Sequence, residues 1–261
     1  MLYLNRADAR IAYQLDGDSS KPVLALAHSL GVNQSMWQPL LPLLLPHWQV
    51  LRFDLRGHGA SSVTPAPLSV EVLSQDLLAL ADYLGVSEFS FCGVSLGGLI
   101  GQWLGIYAPS RIRQLFLANT AMKFGEAATW NARIELVSAE GLAPVVAGTL
   151  QRWFTPEFLA SNPARIAPVR QMLESTDPQG YIAGCSAVRD ADFRATACRI
   201  AIPTLVLGGS SDPVSTPADG RALAAQIPGA GYVELAAAHL ACVELPDAFA
   251  SALGDFASAA V

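Results

Sequence analysis

Short apolar runs alternate with amphipathic stretches along most of this chain, the pattern left by strands joined through crossover helices. Leu2–Leu4 and Ile11–Leu15 alternate apolar and polar positions on either side of a polar Arg6–Arg10 turn, which predicts an antiparallel hairpin. Apolar runs recur at Val23–His28, Val50–Asp54, Phe89–Val94, Ile112–Asn119, Thr204–Gly209 and Tyr232–Ala236, giving eight strands in all. Near-continuous apolar character in most of them marks strands covered on both faces, as in a parallel sheet.

Helical spacing fills the gaps. Ser69 is placed to cap a helix through Leu73, Leu77, Leu80 and Leu84, with Gly85 as its stop. Leu96–Tyr107 predicts a second helix ended by Pro109, and Thr216–Gln226 and Asp247–Phe256 predict two more. The alternation breaks between about residues 121 and 194, which hold helical segments, several prolines and the aromatics Trp130, Trp153 and Phe154. The prediction is an α/β fold whose core is residues 1–120 and 195–261, with 121–194 inserted as a helical lid. Open sheets of this kind bind ligands beyond the carboxyl ends of their strands, where such a lid would lie.

Composition narrows the function classes. With 261 residues, 52% hydrophobic and 15% charged, the chain can bury a core without disulfides or metals and is not disordered. No apolar run approaches the ~20 residues that span a bilayer. The first residues lack the apolar core of a secretory signal, so a cytoplasmic location is expected. A net charge of −6 argues against nucleic acid as partner. It also means that an anionic substrate needs a cation placed locally. Cys92, Cys185, Cys198 and Cys242 form no CxxC pair, so neither a zinc site nor any other metal is expected. Cys92 reads as a small core residue, and Trp37, Trp48 and Trp103 as core aromatics.

The chemistry concentrates at Gly93-Val94-Ser95-Leu96-Gly97, a GxSxG lying between a strand and a helix. That setting suits a nucleophile elbow, in which a sharp turn needs small neighbours and lifts the serine hydroxyl to a helix N-terminus. The partners of such a serine follow it in the order acid, then histidine. His239 is the one histidine after Ser95, in a loop beyond the last strand. Asp212, on the Gly-rich loop after Thr204–Gly209, is the candidate acid, with Asp190, Asp192 and Glu234 as competitors. Related folds also place the acid one strand earlier, but that position here is Asn119. The N–H groups of Leu96 and Leu30 are the candidate oxyanion hole. His28 reads as packed or hydrogen-bonded within its own loop, and Arg56 and His58 as braces of the Asp54–Ser61 loop.

Together these residues resemble the α/β-hydrolase superfamily, across essentially the whole chain. FCGVSLGGLIGQWLG (residues 91–105), QRWFTPEF (151–158) and STDPQGYIAGCSAVRDAD (175–192) are similar to 3-oxoadipate enol-lactonases. That resemblance implies hydrolysis of the enol-lactone to 3-oxoadipate in aromatic-acid breakdown, with no cofactor and a small anionic lactone as the binding partner. The carboxylate of such a substrate calls for an arginine. Arg133, three residues after Trp130, is the candidate, with Trp130 and Trp153 as apolar walls. A solvated Arg133, with tryptophans that only fasten the insertion, is the competing reading. Ser29 stands where many esterases carry glycine, which narrows the oxyanion loop and weighs against a general esterase. A small-ester carboxylesterase, a perhydrolase, another lactonase and a non-catalytic binding protein on the same fold are the alternative functions.

Overall fold

The computed structural model describes residues 1–64 and 67–259. Strands β1 (Leu2–Asn5) and β2 (Arg10–Asp16) form the hairpin, followed by β3 (Val23–Ala27), β4 (Gln49–Phe53), β5 (Phe89–Val94), β6 (Ile112–Ala118), β7 (Thr204–Gly209) and β8 (Gly231–Leu235). They build one eight-stranded sheet in the order β1-β2-β4-β3-β5-β6-β7-β8. β2 runs antiparallel to β1 and β4, and the remaining pairs are parallel. Helices α1 (Leu41–Leu44), α2 (Val70–Tyr83) and α3 (Leu96–Tyr107) punctuate the first half. Helices α4 (Ala127–Glu140), α5 (Ala143–Trp153), α6 (Pro156–Ser161), α7 (Pro163–Ser175) and α8 (Pro178–Asp190) all lie between β6 and β7. Helices α9 (Pro217–Gln226), α10 (Ala241–Glu244) and α11 (Pro246–Ala259) complete the chain.

The apolar runs are continuous because successive side chains enter different cores. Ala25, Phe91, Leu115 and Leu117 pack on one face with Leu77 of α2 and Leu99 of α3. Their neighbours Leu24, Leu26, Cys92 and Phe116 pack on the other with Trp37, Leu44 and Phe249. The period of two thus survives as a choice of core rather than as a choice between core and water. Ser69 caps α2 by accepting the Val72 N–H at 3.2 Å, and Gly85 follows it at φ 70°.

Four strands end one residue earlier than their apolar runs suggest. His28, Asp54, Asn119 and Ala236 all lie just outside the ladder. The first three are buried polar residues whose side chains are committed to hydrogen bonds beyond the sheet edge. Trp103 is only half-buried and leans on Tyr107, 5.2 Å between ring centroids, whereas Trp37 and Trp48 are buried. Among the described residues no helix is long and apolar enough to cross a membrane, and no group of three or more His, Cys, Asp or Glu could hold a metal ion.

Register brings the loops of interest together. Ala27 pairs with Gly93, Val94 with Ala118, Ala118 with Leu207, and Gly209 with Leu235. The carboxyl ends of β3, β5, β6, β7 and β8 are therefore level, and the loops that follow them are neighbours.

The loops after β3 and β4 brace each other. The Asp54 carboxylate accepts the Gln34 and Ala60 N–H groups, both at 2.8 Å. Buried Arg56 forks onto Asp76 at 2.5 and 2.8 Å and reaches Asp8 at 2.7 Å. His28 Nε2 accepts the Leu55 N–H at 2.9 Å, which leaves its Nδ1–H to donate to Ser29 O at 2.8 Å. His58 Nε2 accepts the Gly31 N–H at 3.0 Å while its Nδ1 faces Arg56 O at 3.0 Å. Both rings work as neutral imidazoles. Burial pushes His28 down to about 4, and burial together with His28 pushes His58 down to about 3.

Two stability predictions follow from this bracing. Removing the guanidinium in Arg56→Met leaves the buried Asp76 carboxylate with Arg6, 2.9 Å away, as its remaining cation, so denaturant unfolding should show a loss of about 2–3 kcal/mol. Unfolded histidines protonate near pH 6.5, whereas these two stay neutral well below it, so the unfolded state binds more protons. Stability should therefore fall as pH drops from about 6.5 to 5, by up to about 1.4 kcal/mol per pH unit for each ring. Urea titrations across that range should show a shallower slope for His58→Asn than for the parent protein. Parallel slopes would contradict the assignment.

Candidate active site

Ser95 is the single residue between β5 and α3, with φ 58° and ψ −112°. A non-glycine residue in such a conformation costs about 1–3 kcal/mol, which the surroundings must offset. The backbone is held on both sides: Ser95 N–H donates to Ala118 O at 3.1 Å, and Ser95 O accepts from Thr120 Oγ1 at 2.9 Å. The flanking glycines are steric necessities. A Cβ on Gly93 would run into the Gly97 carbonyl, and one on Gly97 into the Ala27 carbonyl. One on Gly98 would lie 2.5 Å from Thr120 Cβ. The hydroxyl is left at the N-terminus of α3, where developing negative charge is favoured.

The carboxylate that meets His239 is Asp212, with Oδ2 2.8 Å from Nδ1. Both side chains are buried. Asp212 Oδ1 accepts the Val214 and Ser215 N–H groups at 2.8 and 3.1 Å. Oδ2 also accepts from Ser215 Oγ at 2.8 Å and Asn119 Nδ2 at 3.1 Å. Burial alone would raise the Asp212 pKa. The His239 ring and the Ser215 and Val214 donors outweigh it and hold the carboxyl below its ordinary range. The competing acids lie elsewhere in surface ion pairs: Asp190 with Arg189, Asp192 with Arg194, and Glu234 with Arg221.

The His239 loop is fixed from two sides. Ala238 N–H donates to Glu244 Oε2 at 3.0 Å, and Leu240 N–H donates to Trp153 O at 3.0 Å. Glu244 also takes both the N–H and the hydroxyl of Thr155, which caps α6.

A cavity of about 170 Å³ opens over these groups, and its wall includes Ser95, His239, Leu30, Trp130, Arg133 and Trp153. Every side chain proposed from sequence for the substrate is therefore on this wall. Arg133 donates to Tyr181 Oη at 3.1 Å and sits 5.9 Å from the Trp130 ring centroid. The Trp153 ring lies 6.5 Å from that of His239. Leu96 opens α3, so its N–H has no acceptor in its own helix. The Leu30 N–H has no backbone acceptor among the described residues. Two backbone donors are thus available beside the serine. A larger groove of about 530 Å³, lined by Pro22, Trp48, Ser90 and Arg113, lies at the amino ends of β3 and β5, away from this chemistry.

Sequence reading missed four contributors. Asn119 was weighed only as a possible acid position, yet it donates to the acid itself and to Ala238 O at 3.1 Å. Ser215 follows Asp212 by three residues, an Asx-turn spacing that could have flagged it. Arg152 and Tyr181 also line the cavity, and Arg152 adjoins Trp153 in sequence.

Residues 22–246 match the family model described as alpha/beta hydrolase fold. The chain is 41% identical over 246 residues to 3-oxoadipate enol-lactonase 2 of Acinetobacter baylyi, covering 94% of this chain and 92% of that one. It is 36% identical over 256 residues to 3-oxoadipate enol-lactonase 1 of the same organism, covering 98% and 96%. The crystal structure of the enol-lactonase from Burkholderia xenovorans LB400 superposes with a TM-score of 0.96 at 38% identity, covering 98% of this chain and 100% of that one. With a match of this extent to the family model and to these relatives, the chain belongs to the α/β-hydrolase fold family, in the group that includes the 3-oxoadipate enol-lactonases, and is a hydrolase.

Proposed function

We propose that this chain opens the ring of 3-oxoadipate enol-lactone to give 3-oxoadipate, through an acyl-enzyme on Ser95. One observation carries the reading: a serine on a strained elbow shares a cavity with the Asp212-bound imidazole of His239, and that cavity's wall pairs tryptophans with arginine. The likeness to named enol-lactonases supports the substrate. In this reading residues 121–194 act as the lid that selects it. The reaction belongs to the cytoplasmic β-ketoadipate route of aromatic-acid breakdown.

The steps use only this chain's own groups. His239 Nε2 takes the Ser95 proton as Oγ attacks the lactone carbonyl carbon. The carbonyl oxygen becomes an oxyanion on the N–H groups of Leu96 and Leu30. Asp212 keeps the Nδ1–H tautomer and stabilises the imidazolium. Collapse breaks the ring C–O bond, and the enol oxygen leaves with the proton from His239. The leaving group remains attached to the acyl chain, so the cavity must hold both. Water, deprotonated by His239, then attacks the acyl carbon, frees Ser95 and forms the new carboxylate. The enol product tautomerises to the ketone. Arg133 takes the substrate's existing carboxylate, with Trp130 and Trp153 as the apolar walls.

The test is loss of ultraviolet absorbance from enol-lactone generated in situ, measured beside p-nitrophenyl acetate. The lactone should be turned over orders of magnitude more efficiently than the ester. Ser95→Ala should lower kcat at least about a thousandfold, and Asp212→Asn by a comparable factor through loss of the correct tautomer. Turnover of the ester alone, still dependent on Ser95, would favour a small-ester carboxylesterase and overturn the lactone.

A further inference from the structure

Arg133, on α4, is not the only cation on the cavity wall. Arg152, on α5, lines it too, and among the described residues the wall carries no Asp or Glu. Arg133 is held by the Tyr181 hydroxyl and Arg152 by the hydroxyl of Thr149, at 3.1 and 3.3 Å. Among the described residues neither guanidinium lies within 4.0 Å of a carboxylate oxygen. Both are partly withdrawn from water. Arg152 feels both burial and the charge of Arg133, which lower its pKa from the usual arginine range. Two like charges, partly desolvated and facing one cavity without a counter-ion, are unfavourable until an anion enters.

We infer that Arg133 and Arg152 form a two-cation subsite matched to a dicarboxylate, so that this cavity suits the dianionic product better than the monoanionic lactone. The inference rests on the proposed reaction for the identity of those acids. The lactone brings one carboxylate; ring opening leaves the acyl carbon esterified to Ser95, and hydrolysis of that ester creates the second. Two guanidinium forks present more donors than one carboxylate accepts, and their summed charge is balanced only after the acyl-enzyme has been hydrolysed. Arg152 is accordingly a specificity-determining residue, and product release competes with the next turnover.

Adipate tests this directly, because it carries two carboxylates on a six-carbon chain and no bond for the enzyme to cleave. Monomethyl adipate is its monoanionic counterpart. Titration calorimetry on the intact protein should show adipate binding about tenfold or more tighter than the half-ester. Arg152→Met and Arg133→Met should each weaken adipate by about tenfold to a hundredfold, and Arg152→Lys should recover part of the loss. Thermal melts report whether each variant is folded, and Arg152→Lys keeps the test open should the Met variant fail to fold. Equal affinity for adipate and its half-ester would overturn the charge match, and so would wild-type adipate affinity in folded Arg152→Met. Arginine-dependent adipate binding without lactone turnover would support the subsite while removing the proposed substrate. Lactone turnover with arginine-independent adipate binding would do the reverse.

Discussion

The one-residue turn at Ser95 constrains much of what surrounds it. Its backbone is strained, and its flanking glycines admit no side chain because α3 is pressed against the ends of β3 and β6. Relaxing the turn would require α3 to move away from Ala27 and Thr120. Those contacts are maintained by the two buried cores, so the sheet as a whole offsets the strain of the elbow. The same close packing keeps β3, β5 and β6 level at their carboxyl ends, which is what lets loops distant in sequence converge on one cavity.

The buried histidines show how the surroundings set the chemistry of one side chain. His28 and His58 each accept a backbone N–H through Nε2 and face a carbonyl through Nδ1, so both ring nitrogens are occupied in holding loops together. His239 turns Nδ1 toward Asp212, and its ring lines the cavity with the other nitrogen uncommitted to any such bond. The same imidazole is a brace in two places and a candidate base in the third. Asp212 stays anionic because of the donors gathered on its two oxygens. Asn119, at φ 42°, is one of them, and it accepts a strained backbone at the end of β6 to reach the acid.

Features governed by local periodicity were legible in the sequence. The strands, the Ser69 cap and the elbow depend on neighbours within a few positions, and the cavity-facing Trp130 and Arg133 lie one helical turn apart. Features governed by register were not. Asn119 and Asp212 are 93 positions apart, and no spacing rule states that the residue after β6 should touch the loop after β7. Arg152 was hidden for the same reason: α5 faces the cavity only because of how α4 to α8 fold over the sheet. The strand ends were misplaced by a single residue because a run of apolar positions does not mark where the ladder stops. For β3, β4 and β6 it stops where a polar side chain is hydrogen-bonded beyond the edge.

The helices between β6 and β7 are tied to the chemistry by more than coverage. Trp153 gives its carbonyl to the Leu240 N–H and its ring to the wall beside His239, and Glu244 joins the other side of that loop to the start of α6. Arg152 and Trp153 are adjacent on α5, so the segment that carries a cation of the cavity also buttresses the imidazole. Charge that gathers at the guanidiniums therefore acts on a helix whose next residue is bonded to the His239 loop. In a chain of net charge −6, an anionic ligand gains little from the overall field and depends on cations placed locally, as that helix and α4 place their arginines on the cavity wall. The arginine on the cavity wall and the support of the His239 loop thus share one helix, and a change that loosened α5 would be felt at both.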